Sequence, residues 1–264
     1  MPIILIDGSY YVFYKYYAIM SWWKRAHKDI SESGIDPIDH DVFVSTFRKT
    51  FANKIKNFIK LMKFQEGSYK LYVAKDCPQV DIWRQTHIDK YKGTRDYTDF
   101  KGGPFFQLSY NGLFTELGAE TIQHEHLEAD DCVAYLANHY SEKGEKVYIF
   151  ANDHDYMQLI NHNIEVYTLK GDILSNHKNF YGSAEKALFM KILLGDKSDN
   201  IPPVFEKCGV KTAEKYYNDR DLLKKKLEEN PEATKRLETN SRIIDFKNIP
   251  SEYIDELKSR YNLN

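Results

Sequence analysis

Short apolar runs rich in β-branched and aromatic residues recur along the first two thirds of the chain: "PIILI" near the start, "YKLYVAK" ending at Lys75, "KVYIFAN" ending at Asn152, and "IEVYTL" at 164–169. Each has strand length, and helical-looking sequence separates them. Alternating strand and helix predicts an α/β fold around a mostly parallel sheet. Between the first two runs, "DVFVSTFRKTFANKIKNFIKLMKF" (41–64) places Val42, Phe47, Phe51, Ile55, Phe58, Ile59 and Met62 at helical spacing, with lysines on the other face. That pattern predicts an amphipathic helix covering the sheet. "EADDCVAYLANHYSEKG" reads as a second helix ending at Gly144. Residues 20–40 are turn-rich, and Trp22 and Trp23 there fit either a core or a contact surface. From about residue 183 the pattern becomes helical and Lys-rich, with a break at Pro231.

Polar residues interrupt this pattern at particular places. The first three runs are followed by Asp7, by Asp76, and by Asp153 with Asp155. In open parallel sheets, sites form outside the carboxyl ends of the strands. The stretch "LEADDCVAYLA" crowds Glu128, Asp130 and Asp131 into the start of a helix. One or two acids there satisfy free N–H groups and the helix dipole. Three within four residues repel, so capping alone does not account for them. "LLGDKSDNIPP" adds Asp196 and Asp199, three residues apart on one helical or turn face. Nine carboxylates gathered in one place require cations, and oxygen-only ligation selects Mg²⁺ or Mn²⁺. Two such ions about 4 Å apart suit in-line attack on a phosphodiester. His124, His126 and His154 flank the acids and read as loop residues rather than ligands.

Charge then changes meaning. The chain has 264 residues, 29% of them charged, a mean hydropathy of −0.60 and a formal net charge of −2. Setting the nine acids aside moves that charge to +7, which leaves a surface basic enough for a polyanion. No apolar run is long enough to span a membrane, and the N-terminus lacks the basic region and cleavage site of a secretory signal. Cys77, Cys132 and Cys208 are scattered and match no zinc or redox spacing, which points to a reducing compartment. The expectation is an intracellular protein acting as a monomer.

Two further segments carry basic groups. Read as a helix, "DIWRQTHIDKYKGTRDY" (81–97) puts Arg84, Tyr91, Lys92 and Arg95 on one face, where cations and an aromatic can hold phosphates and stack a base. A solvated charged face is the plainer alternative. Gly93 and "KGGP" at 101–104 weaken that helix, which suggests a mobile arch that orders on substrate. In "GDKSDNIPPVFEKCGVKTAEKYY" (195–217), Gly209 precedes a helix opened by Lys211 and Thr212, whose N–H groups can bind a DNA phosphate. A purely structural helix-loop-helix is the alternative there.

In this order, "LIDGSYYVFYKYYA", "VAKDCPQVDIWRQTHIDKYKGTR", "LEADDCVAYLA", "FANDHDYMQLI" and "GDKSDNIPPV…GVKTA" resemble the motifs of 5′-nucleases of the flap endonuclease superfamily, of the phage 5′-exonuclease and bacterial DNA polymerase I type. The blocks span roughly residues 3 to 217. The resemblance implies a PIN-like α/β domain over residues 1–182, with an arch at about 78–112. It implies a helix–three-turn–helix and C-terminal helices over 183–264. It implies two divalent ions, one held by Asp76, Glu128, Asp130 and Asp131, the other supported by Asp153, Asp155, Asp196 and Asp199, with Asp7 acting directly or through water. Lys92 and Arg95 resemble the arch-base cations that steer the scissile phosphate, Arg84 the upstream arch arginine, and Tyr91 an aromatic near the 5′ nucleotide. The helix–three-turn–helix grips duplex DNA, often with a bound K⁺. That element departs from the family pattern. It reads "KCGVK", with Lys207 at the position of an expected Gly, and the segment "VFEKCG" runs one residue longer. The implied activity is metal-dependent hydrolysis at DNA 5′ ends and 5′ flaps, including RNA primers, in replication or repair. The rival readings are a PIN-type ribonuclease and a catalytically silent, structure-specific DNA-binding protein.

Overall fold

All four apolar runs form strands in the computed structural model, which describes residues 1–28, 36–95 and 98–263. Residues 29–35 of the turn-rich stretch and 96–97 of the expected arch lie outside the described residues. The strands are β1 (Ile3–Asp7), β2 (Lys70–Lys75), β3 (Glu120–Gln123), β4 (Val147–Phe150) and β5 (Ile164–Tyr167). They form one parallel sheet in the order β3-β2-β1-β4-β5. β1 is buried at every position, as expected for a central parallel strand covered on both faces.

Alternate residues of the strands face two cores. On one face Ile4, Ile6, Val73 and Phe150 pack with α1 (Gly8–Ala26), α2 (Asp41–Leu61) and α3 (Gly103–Leu108), which runs on through a wider turn to Glu116. Phe43, Phe47, Phe51, Ile55 and Phe58 form the buried stripe of α2. Val42 is exposed at the start of that helix, so it does not join the stripe. α1 also runs further than the sequence suggests, through Trp22 and Trp23. Trp23 is a core residue stacked on His27, with centroids 4.2 Å apart, whereas Trp22 faces outward. On the other face Ile3, Leu5, Ala74, Ile149 and Val166 pack against α4 (Ala129–Glu142) and α9 (Ser251–Tyr261).

The remaining helices are α5 (Ala184–Leu194), α6 (Val210–Asn218), α7 (Arg220–Glu228) and α8 (Pro231–Ile244). Met190, Leu193, Val204, Ala213, Tyr216, Leu223 and Ala233 give them a small cluster of their own. The expected break at Pro231 is present: α7 ends at Glu228, and Pro231 opens α8 at the first helical position, where a missing N–H costs nothing, with Asn230 as its cap. α9 returns to the sheet through Leu257, and its Tyr261 hydroxyl accepts from Gln123 N at 2.9 Å. No helix among the described residues is long and apolar enough to cross a membrane.

Candidate metal centre and its basic rim

Strand register sets the first acids. β1 lies between β2 and β4, so its terminal Asp7 is flanked by the residues that follow those two strands. Asp7 also caps α1, accepting from Tyr10 N at 2.9 Å, and its other oxygen accepts from the Tyr156 hydroxyl at 3.0 Å. The sharp passage from β1 into α1 needs Gly8. A Cβ there would lie 2.5 Å from Val73 Cγ1 and 2.6 Å from both Ala74 O and Tyr110 Oη. Asp76 N donates to Ser9 Oγ at 3.1 Å, and the Asp76 carboxylate accepts from Ala129 N at 2.7 Å, the start of α4. Burial, and then the Asp76 charge, push Asp7 up to about 7. Burial and the Glu128 charge raise Asp76.

The acids opening α4 divide the work. Glu128 N donates to Asp131 Oδ2 at 3.1 Å, a capping contact. Asp131 is fully buried; its oxygens take Arg84 at 2.6 and 2.8 Å and Trp83 Nε1 at 3.0 Å. Glu128 takes Arg84 at 2.9 Å, the Tyr91 hydroxyl at 3.1 Å and the Lys92 ammonium. Burial opposes its ionisation, yet Lys92 and Arg84 hold Glu128 below its usual range. Asp130 differs. Its buried Oδ1 has no hydrogen-bond partner, the Arg84 guanidinium is 3.8 Å away, and burial pushes its carboxyl well up.

A second group forms beyond β4. Asp153 opens a short turn and accepts from Asp155 N at 2.9 Å; burial, then the Asp155 charge, raise it to about 7. Asp155 pairs with Lys191 at 2.6 Å, and Lys191 also contacts Asp196. Asp196 accepts from Ser198 N at 2.7 Å and Ser198 Oγ at 2.6 Å. Asp199 accepts from Arg95 at 2.6 Å. Thus Glu128, Asp130 and Asp131, and separately Asp155, Asp196 and Asp199, each bring oxygens within 4.8 Å of one another.

The basic segment differs from its sequence reading. The described part of that segment, residues 81–95, does not form a helix with Arg84, Tyr91, Lys92 and Arg95 on one face. Among its described residues only the short turns Gln79–Asp81 and Trp83–Thr86 are helical, and Lys90 and Lys92 adopt left-handed backbone (φ 59° and 54°), which a right-handed helix excludes. Tertiary contacts bring the four together instead. Arg84 and Tyr91 are buried among the acids, 3% and 2% exposed, so neither faces outward as a phosphate or base contact. The Tyr91 hydroxyl reaches Glu128 and, at 3.3 Å, Asp199. Arg84 Nε donates to Ile243 O at 2.8 Å, at the end of α8. Lys92 N donates to Asp199 O at 3.0 Å, and the Lys92 ammonium lies between Glu128 and Asp199, 3.9 Å from the latter. Lys92 and the more exposed Arg95 therefore form the rim of the acid pocket.

The donor set fits hard divalent cations. It is all oxygen, two buried oxygens, on Asp130 and Asp155, make no hydrogen bond, and four carboxyls are raised by burial with too little positive charge beside them. The histidines stay out: His124 bonds Glu256 at 2.8 Å, His126 bonds Asp81 O, and His154 makes a tilted ring contact with His177. Sequence reasoning missed Lys191 and Tyr156. Lys191 carried a signal, lying on the helix that leads directly into "GDKSD". Gly209, Lys211 and Thr212 sit at the surface start of α6, where Gly209 is the N-cap and its O receives Ala213 N.

Comparison with known proteins follows the same lines. The model of a family described as "5′-3′ exonuclease, N-terminal resolvase-like domain" matches residues 2–190. A 5′-3′ exonuclease of Buchnera aphidicola is 31% identical over 80% of this chain and 68% of its own length. A protein named ribonuclease H from Enterobacteria phage T4 is 28% identical over 86% of this chain and 80% of its own. The fold is shared with a bacteriophage T5 flap endonuclease solved with DNA and metal ions, at a TM-score of 0.68 and 16% identity, covering 100% of this chain and 99% of that one.

Proposed function

This chain belongs to the 5′-3′ exonuclease family, and we propose that its acid pocket hydrolyses DNA phosphodiesters at 5′ ends and 5′ flaps by a two-metal-ion mechanism, in primer and flap removal or repair. The observation that carries this is the pair of three-carboxylate groups at the carboxyl edge of one parallel sheet, with Asp7 between Asp76 and Asp153 and Lys92 and Arg95 on the rim. Bound at these oxygens, two ions, Mg²⁺ or Mn²⁺, would activate the attacking water and stabilise the leaving oxygen.

The chain's own groups do the rest. Asp130 presents the open oxygen to the first ion, with Asp76 and Glu128 beside it. Asp131 is a positioning acid, because Arg84 and Trp83 already take its oxygens. Asp153, Asp155, Asp196 and Asp199 serve the second ion. Lys92 and Arg95 hold charge on the scissile phosphate. Arg84 and Tyr91 fix the acids from behind. The start of α6, with Gly209, Lys211 and Thr212, grips a duplex phosphate, and K⁺ is the candidate cofactor of the 195–217 block. Residues 1–182 form the PIN-like domain, and 183–264 supply Asp196 and Asp199, the duplex-gripping start of α6 and the C-terminal helices, in a monomer. The name of the T4 relative supports RNA-bearing 5′ ends as further substrates.

The test uses a labelled 5′-flap duplex, a single-stranded RNA and a blunt duplex, each with Mg²⁺ or EDTA. Mg²⁺-dependent cutting of the flap near its junction supports the proposal. Cutting of the single-stranded RNA alone would favour a PIN-type ribonuclease, and binding without cutting would favour a silent DNA-binding protein.

A further inference from the structure

The second acid group contains a cation of its own. Lys191, on α5, reaches Asp155 Oδ1 at 2.6 Å and makes a short contact with Asp196 Oδ2. Both acids belong to the set whose oxygens lie within 4.8 Å of one another. The fold holds this contact in place. α5 is capped by Gly195, whose φ of 68° favours glycine and where a Cβ would lie 2.5 Å from Ile201 O. Asp196 and Ile201 then exchange backbone hydrogen bonds of 2.9 and 2.7 Å. That closed turn fixes Asp196 against the helix that carries Lys191.

The first group is arranged differently. Arg84 and Lys92 engage Glu128 and Arg84 engages Asp131, but the Arg84 guanidinium stays 3.8 Å from Asp130 Oδ1, which makes no hydrogen bond, whereas the Lys191 ammonium lies 2.6 Å from Asp155 Oδ1. An ion entering there finds a free oxygen. An ion joining Asp155 to Asp196 must displace an ammonium or sit against it. Repulsion between charges a few ångströms apart is strong in such a partly buried place.

We propose that Lys191 sets the divalent-ion affinity of the second acid group and keeps it below that of the first. The inference rests on the metal-nuclease reading above. It makes Lys191 a positioning residue that acts through Asp155 and Asp196, and one that no ligand pattern in the sequence identifies.

The full chain is titrated with Mn²⁺ at constant pH, with heat of binding and free-Mn²⁺ electron paramagnetic resonance as readouts. Wild type, Lys191→Met and Lys191→Arg are compared, and melting curves establish that each is folded. Wild type should show a tighter and a weaker class of site. Lys191→Met should tighten the weaker class by about tenfold or more and leave the tighter class within about twofold, while Lys191→Arg, which keeps the charge, should follow wild type. Should Lys191→Met not fold, Lys191→Gln carries the same expectation. A weaker class that is unchanged or lost in the uncharged variant, beside an intact tighter class, overturns the role of Lys191 alone. Absence of any Mn²⁺ binding to wild type overturns the metal reading and this inference with it.

Discussion

Replacing Arg84 with Met should cost more stability than any surface change, and the contacts say why. The guanidinium gives two hydrogen bonds to Asp131, one to Glu128 at 2.9 Å and one to Ile243 O at 2.8 Å. Glu128 keeps Lys92 and Tyr91 in the variant. Asp131 Oδ2 keeps Trp83 Nε1 and Glu128 N, but Asp131 Oδ1 loses Arg84 in a site with no solvent exposure. Removing one partner of a buried charge pair costs about 3–5 kcal/mol. For a chain of this size that is a fall in melting temperature of roughly 6–10 °C. Differential scanning calorimetry in EDTA measures it. The double variant Arg84→Met, Asp131→Asn should recover part of the loss, because the stranded charge is gone. Mg²⁺ should raise the single variant's melting temperature more than wild type's, since an added cation replaces part of the missing charge. A single variant melting within about 2 °C of wild type, or a double variant no more stable than the single, would refute the reasoning.

Two other outcomes follow from the same geometry. Asp153 is raised to about 7 from 3.8, so its folded form holds a proton that its unfolded form has lost between those values, and its contribution to stability falls as pH rises through that window. Asp153→Asn should therefore gain on wild type in EDTA from about pH 4 to 7 and keep the gain above it, as followed by urea melts across pH; a constant difference would contradict this. Gly8→Ala forces a methyl against Val73 and Ala74 O, which should cost about 1–3 kcal/mol and lower cleavage by displacing Asp7; a denaturant midpoint and cleavage rate equal to wild type would count against the close approach.

How much of this was legible in the sequence depends on the length of each signal. β1, β2, β4 and β5 announced themselves because buried parallel strands are runs of apolar residues. β3 did not, because "ETIQ" is four residues on the sheet edge with only Ile122 buried. α2 was read from its spacing of phenylalanines, although Val42 at its first turn faces solvent. The strand-end acids were legible because chain topology alone brings strand ends together. Residues 81–95 were misread for the opposite reason. Their backbone follows left-handed turns at Lys90 and Lys92, and Arg84 and Tyr91 are drawn inward by acids distant in sequence, which no local periodicity encodes. Lys191 was missed because a lysine in the last turn of a helix looks solvated until Asp155 and Asp196 are seen beside it.

The central claim is that these acids do metal-dependent hydrolysis, and Asp130 tests it most directly because its buried oxygen has no other hydrogen-bond partner. Single-turnover cleavage of a labelled 5′-flap duplex in Mg²⁺ is measured beside DNA affinity for wild type and Asp130→Asn. The account predicts cutting near the flap junction by wild type and none by the variant, with DNA affinity largely retained. Cleavage by the variant at the wild-type rate would contradict it.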